Sequence, residues 1–179
     1  ATIFFVDMTE MFNVRDEFLR TRPITAVILI DNYDELMSNL PDSTISKLDA
    51  QINEAVSGWV TGLHALCRKM ERNRYLLLFE SKDLSRLQEG KFSILDAIRA
   101  VVNPAGVNAT ISLGIGKDGS SFEENYSFAN LSIEMALSRG GDQAVIKDRY
   151  NFAFYGGRTK ETERRTRVKS RVVAGSLSE

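Results

Sequence analysis

Cysteine and histidine are nearly absent from this 179-residue chain, which has one of each, Cys67 and His64. A single thiol cannot close an internal disulfide, and one imidazole with one thiol cannot assemble the usual zinc cages. A Ser-His-Asp triad would have to recruit His64, which lies within an apolar helical pattern, so triad hydrolysis is disfavoured as well. Proline is scarce, with 3 residues, and glycine stands at 12, so collagen, mucin and linker classes are out. No apolar run approaches the roughly 20 residues needed to span a bilayer. Ala1 opens without an initiator Met or a signal-peptide pattern, and the chain reads as a soluble cytoplasmic piece of a longer protein.

What is present is the composition of a folded domain, 43% hydrophobic and 26% charged. The formal charge of −1 conceals an asymmetry: residues 158 to 171 hold seven basic and two acidic residues, leaving an acidic remainder. The opening TIFFVDMTE reads as a short strand followed by a polar break, and Met11, Val14 and Phe18 then recur at helical spacing up to Pro23. Residues 24 to 30, ITAVILI, form an unbroken apolar run suited to a strand buried on both faces, with Asp31 at its end. A helix is expected over 33 to 40, and a longer one beyond Pro41, where Ile45, Leu48, Ile52, Val56, Trp59 and Leu63 share a face. ALCRKM and YLLLFE, joined by a tight polar turn, read as a hairpin. Residues 84 to 101 predict one helix with a weak point at Gly90, 109 to 115 a strand, and 122 to 138 a helix capped by Gly140-Gly141. QAVIK and YNFAFY make two last strands. This alternation predicts an α+β sandwich, a mixed central sheet flanked by helices with an N-terminal linker helix.

The strings ILIDNYDEL, TISLGI and ANLSIEMALSRGGDQA resemble the metal-binding D-x-D-x-F-K segment, the T-x-S-x-G strand and the C-terminal helix of GGDEF domains, relatives of the nucleotide-cyclase palm. The signature hairpin turn reads Glu71-Arg72-Asn73-Arg74-Tyr75 where that family has Gly-Gly-Asp/Glu-Glu-Phe. Cyclase chemistry uses those glycines for close approach to the nucleotide and those acids for metal. In a gapless register Leu137 and Gly141 stand where the family has a phosphate-binding Lys and Arg, so diguanylate cyclase activity is not expected. The hairpin should also need no glycine-only conformation, and Gly140-Gly141-Asp142-Gln143 reads as a helix cap and turn rather than a displaced signature.

IDNYDE, ALSRGGDQAVIK and the closing RTRVKSRVVAGSL together resemble the degenerate GGDEF domain of the GdpP (YybT) family of membrane-bound cyclic-di-AMP phosphodiesterases. The resemblance implies residues 1–22 as the end of a PAS domain and a linker helix, 23–156 as the degenerate GGDEF domain, and 157–179 as a basic linker toward a DHH-DHHA1 module. It places Mn²⁺ in that absent module, haem in the mostly absent PAS domain, and the parent in the cell membrane with this domain facing the cytoplasm. It also implies a homodimer in the parent and at most weak ATP hydrolysis with Mg²⁺.

Among candidate site residues, Asp31 could hold Mg²⁺ with the carbonyl of Asn32, or cap the following helix. Asp34 suits a helix first turn. Asn39 lies eight residues after Asp31, the family's offset for a base-reading Asn, and also suits a surface turn. Asn73 occupies a metal-acid position, where a neutral amide is a poor ligand and a good turn former. His64 and Cys67 suggest packing roles. Three functions stay open: a regulatory domain binding ATP or a related nucleotide, a structural dimerising relay that binds none, and RNA binding through the basic tail, with no DNA expected. The tail lacks the interleaved aromatics that single-stranded nucleic acid would want.

Overall fold

The structure, a computed structural model, describes residues 7–156. The strand expected at the very N-terminus and the basic tail lie outside the described residues. Twelve elements follow in order: α1 (Thr9–Thr21), β1 (Pro23–Ile30), α2 (Tyr33–Met37), α3 (Asp42–Thr61), β2 (Leu66–Glu71), β3 (Arg74–Glu80), α4 (Ser81–Glu89), α5 (Ile94–Arg99), β4 (Ile111–Gly116), α6 (Phe122–Ser138), β5 (Gln143–Lys147) and β6 (Phe152–Gly156). The strands form one mixed sheet in the order β2-β3-β1-β4-β5-β6. Only β4 and β5 run parallel, and α6 is their crossover.

The unbroken apolar run becomes β1, the central strand, paired antiparallel with β3 on one side and β4 on the other. Its two faces meet different layers. Ile24, Ala26, Ile28 and Ile30 join Leu48, Ile52 and Val56 of α3 and Ile94 and Ile98 of α5 in the main core. Val27 faces Ala129 and Ile133 of α6. The apolar stripe of α3 was legible because its buried residues, Leu48, Ile52, Val56 and Val60, recur at four-residue steps. Ser121 caps α6, its hydroxyl accepting the Glu124 N–H at 3.1 Å.

Two expected helices come out differently. The helix from 84 to 101 is broken into α4 and α5, because Lys91 and Phe92 take left-handed φ values of 49° and 53°. That turn drives the fully buried Phe92 into the core, edge-on to Tyr155 at 5.2 Å. Burial of one aromatic ring overrides the helical periodicity. The helix from 33 to 40 ends at Met37, and Asn39 takes the left-handed conformation, φ 55°, at the exposed connection to α3.

A candidate site at the end of the central strand

Asp31 leaves β1 with its backbone N–H donated to the Thr110 carbonyl at 2.9 Å. Its Oδ2 accepts the backbone N–H of Asp142 at 2.9 Å, in the turn between α6 and β5. Gly140 and Gly141 close α6 by donating to the carbonyls of Leu137 and Ala136, both at 2.9 Å. The carboxylate therefore supports the cap of a helix far away in sequence, not the helix that follows it. A Cβ built on Gly141 would lie 2.7 Å from Asp31 Oδ2, so the missing side chain is what lets the two loops meet. Burial pushes the Asp31 carboxyl above its ordinary value, against the lowering effects of the nearby Ser112 hydroxyl and of the Asp142 N–H. Oδ1 is buried with no hydrogen-bond partner among the described residues.

Asp142, also left-handed, presents its carboxylate to Arg99 of α5, whose Nε lies 2.8 Å from both oxygens. Asn32 is committed too: its Nδ2 donates to the Asn108 carbonyl at 2.9 Å, its Oδ1 accepts the Thr110 N–H at 3.1 Å, and its own carbonyl accepts the Leu36 N–H at 2.8 Å.

The signature hairpin lies beside this strand end, where the Asn73 carbonyl accepts the Ile30 N–H at 2.9 Å. Glu71 pairs with Arg74 across a two-residue turn, and neither Arg72 nor Asn73 has a positive φ. The turn thus works without a glycine conformation, as the residue types suggest. Arg74 stands opposite Leu29 and donates to Asn130 of α6, while its Nε is buried without a partner among the described residues. Tyr75 is buried on the other face, its hydroxyl donating to Asn53 Oδ1 at 2.5 Å. Lys69 pairs there with Asp49 at 2.9 Å.

The other candidates disperse. Asp34 is exposed in the first turn of α2. Leu137 is exposed in the last turn of α6. His64 is solvent-facing, 4.0 Å from Asp83, and Cys67 is a half-buried thiol whose pKa burial pushes up. Among the described residues no group of three or more His, Cys, Asp or Glu side chains could hold a metal ion. Residue reading missed the pairing of Asp31 with the Asp142 turn and the clamp by Arg99; only a glycine pair beside an acid hinted at it.

Residues 28–154 match the family model described as cyclic-di-AMP phosphodiesterase GdpP-like, GGDEF domain. The chain belongs to this family. It is 34% identical over 178 residues to cyclic-di-AMP phosphodiesterase GdpP of Bacillus subtilis (strain 168), covering 99% of this chain and 27% of that protein. It is 33% identical over 178 residues to cyclic-di-AMP phosphodiesterase PdeA of Listeria monocytogenes serotype 1/2a (strain 10403S), with the same 99% and 27% coverage. The chain thus spans about a quarter of the length of these relatives. In fold it is similar to the active GGEEF domain of a diguanylate cyclase from Vibrio cholerae, with a TM-score of 0.60, 12% identity, and coverage of 75% of this chain and 88% of that one. The α+β palm architecture expected from the element order is the one observed, and the expected boundaries 23–156 enclose all six strands. Among the described residues no helix is long and apolar enough to cross a membrane.

Proposed function

We propose that this chain is a regulatory GGDEF domain, degenerate in its cyclase signature, that acts as a dimeric relay inside a cyclic-di-AMP phosphodiesterase. The commitment of Asp31 is the observation that carries the reading. The one acid kept at the metal position braces the Asp142 turn, the second metal-acid position holds the neutral Asn73, and Arg74 puts a positive charge beside it. One partly engaged carboxylate beside an arginine supplies too few oxygen ligands to hold two divalent cations.

The relay part rests on α1. None of its residues is buried, and Val14 and Phe18 are 62% and 63% exposed. A helix of 13 residues with no buried face is marginal by itself, so a partner must cover it. With Met11, Val14, Phe18 and Thr21 as the seam, Glu10 and Glu17 fall at the flanking positions that meet Arg15 and Arg22 of a parallel second copy, both pairs opposite in charge. Movement of α1 would reach the domain through Arg22, whose Nη1 holds Asp118 at 3.2 Å and whose carbonyl accepts the Ser81 N–H at 2.9 Å.

Incubation of the chain with GTP and Mg²⁺ or Mn²⁺ should yield no cyclic-di-GMP, and its appearance would overturn the reading. A second reading, binding of ATP with Mg²⁺, is favoured by one observation, the unpartnered Asp31 Oδ1. A nucleotide-borne Mg²⁺ could take that single oxygen and complete its shell with phosphate and water. Calorimetric titration with Mg²⁺ and ATP decides: heat lost in Asp31→Asn supports the second reading, and no heat in either protein leaves the relay alone.

A further inference from the structure

Helix α6 crosses the middle of one sheet face and leaves the strand beside it, β6, open at the edge. Among the described residues β6 pairs only with β5, and the register Val145↔Phe154 and Lys147↔Phe152 sets both phenylalanines on the α6 face. Their rings lie 6.4 Å apart at 24°. The Arg139 guanidinium sits 4.0 Å from the Phe154 centroid, and Lys147 Nζ lies 4.6 Å from Phe152 and 4.8 Å from Phe128. Cation–π contacts of significant strength occur about once per 70–80 residues, so three on one sheet edge form a local concentration. In the β5–β6 turn Tyr150 is 87% exposed.

These cations have no internal anion. Among the described residues neither Arg139 nor Lys147 has a carboxylate within salt-bridge distance. Arg139 Nε is buried without a hydrogen-bond partner among them. The neighbouring acids have other partners: Asp118 pairs with Arg22 and Lys117, Glu124 with Ser120 and, at 3.9 Å, with Arg149, and Asp148 accepts the N–H groups of Tyr150 and Asn151 in its own turn, with Lys117 and Lys147 nearby. Lys147 Nζ donates to the Asp148 carbonyl at 3.1 Å, and positive charge beside π surface with no carboxylate in direct contact is the chemistry that receives a nucleobase and its phosphate. Phe152 to Phe154 spans about 7 Å of strand, and Tyr150 in the preceding turn adds a third ring, more aromatic surface than one mononucleotide fills.

We propose that this β6 edge binds single-stranded nucleic acid. Bases stack on Tyr150, Phe152 and Phe154, and backbone phosphates meet Arg139, Lys147 and Arg149.

Fluorescence anisotropy of labelled oligouridylate and oligothymidylate with the 179-residue chain tests this. Binding is expected at about 50 mM salt, with a loss of about fortyfold by about 300 mM for the three phosphate contacts. The pair Phe152→Leu and Phe154→Leu keeps apolar volume and removes the π faces; it should melt like the parent chain and bind at least ~10-fold more weakly. A chain ended at Gly157 should keep that Phe dependence. Comparison of the two oligomers tells whether RNA or DNA is preferred. No binding at low salt overturns the proposal, as does unchanged binding by the leucine pair, which would assign it to the basic tail. Displacement by ATP as effectively as by the oligomer would also overturn it, in favour of a mononucleotide site.

Discussion

Asp31 shows how one residue can keep its place and change its work. Burial raises its pKa, so the folded chain holds the proton more tightly than the unfolded chain does. Ionisation therefore costs folding free energy. The cost is absent below the unfolded value near 3.8, grows as pH rises toward the raised folded value, and is complete above it. Asp31→Asn keeps an acceptor for the Asp142 N–H and never ionises. Its stability relative to the parent chain should rise as pH climbs from below that window to neutrality, which urea unfolding across a pH series will show. Asp31→Ala leaves the Asp142 N–H without a partner and should cost ~1–3 kcal/mol. Gly141→Ala adds a Cβ against Asp31 Oδ2 at a φ of +71° and should destabilise through both clash and strain. In the Asp31→Ala background only the strain remains, so the double variant should be less destabilised than the two single costs together. That an acid ends β1 is readable from the sequence. That it braces a turn 111 residues away is not.

Among the elements, α6 and β4 approach most closely. A Cβ on Gly116 would lie 1.8 Å from the Asn125 carbonyl, and one on Gly114 2.2 Å from that of Ala129, backbone atoms that cannot step aside. Gly116→Ala should cost ~3 kcal/mol or more, visible as a lowered thermal midpoint or failure to fold. The T-x-S-x-G pattern was legible as a strand, whereas its glycines acquire meaning only when the crossover helix lies on them. Helix α1 is the reverse case, an element whose apolar stripe is plain in sequence but buries nothing within the domain. Phe18→Glu removes the centre of the proposed seam. The chain should then shift from dimer to monomer in light scattering, with its thermal midpoint little changed.

Taken whole, the molecule is a self-sufficient sheet domain with an arm attached. Arg22 ties the arm to the β4–α6 loop, its Nη2 donating to the Gly119 carbonyl at 3.3 Å, and nothing in α1 reaches the core. Removing residues 1–21 should leave a monomeric domain with a cooperative melt within a few degrees of the parent, because none of the α1 side chains is buried. A collapse of that melt would show that α1 supports the fold from within.

The sequence by itself determined the elements and the family. The buried central strand, the stripe of α3, the hairpin turn and the Ser121 and Gly140-Gly141 caps are written in residues within a few places of one another, and local patterns of that kind hold in any surrounding. The replaced signature was equally plain, since Arg74 is an arginine wherever the chain takes it. Only the tertiary structure decided the strand order, the break at Phe92, the partners of Asp31 and the gathering of Arg139 and Lys147 on three aromatic rings. Each of these depends on pairings across long stretches of chain, where partner and burial are set by how the layers pack. A carboxylate becomes a metal ligand or a brace according to which loop arrives beside it, and no local pattern records that arrival.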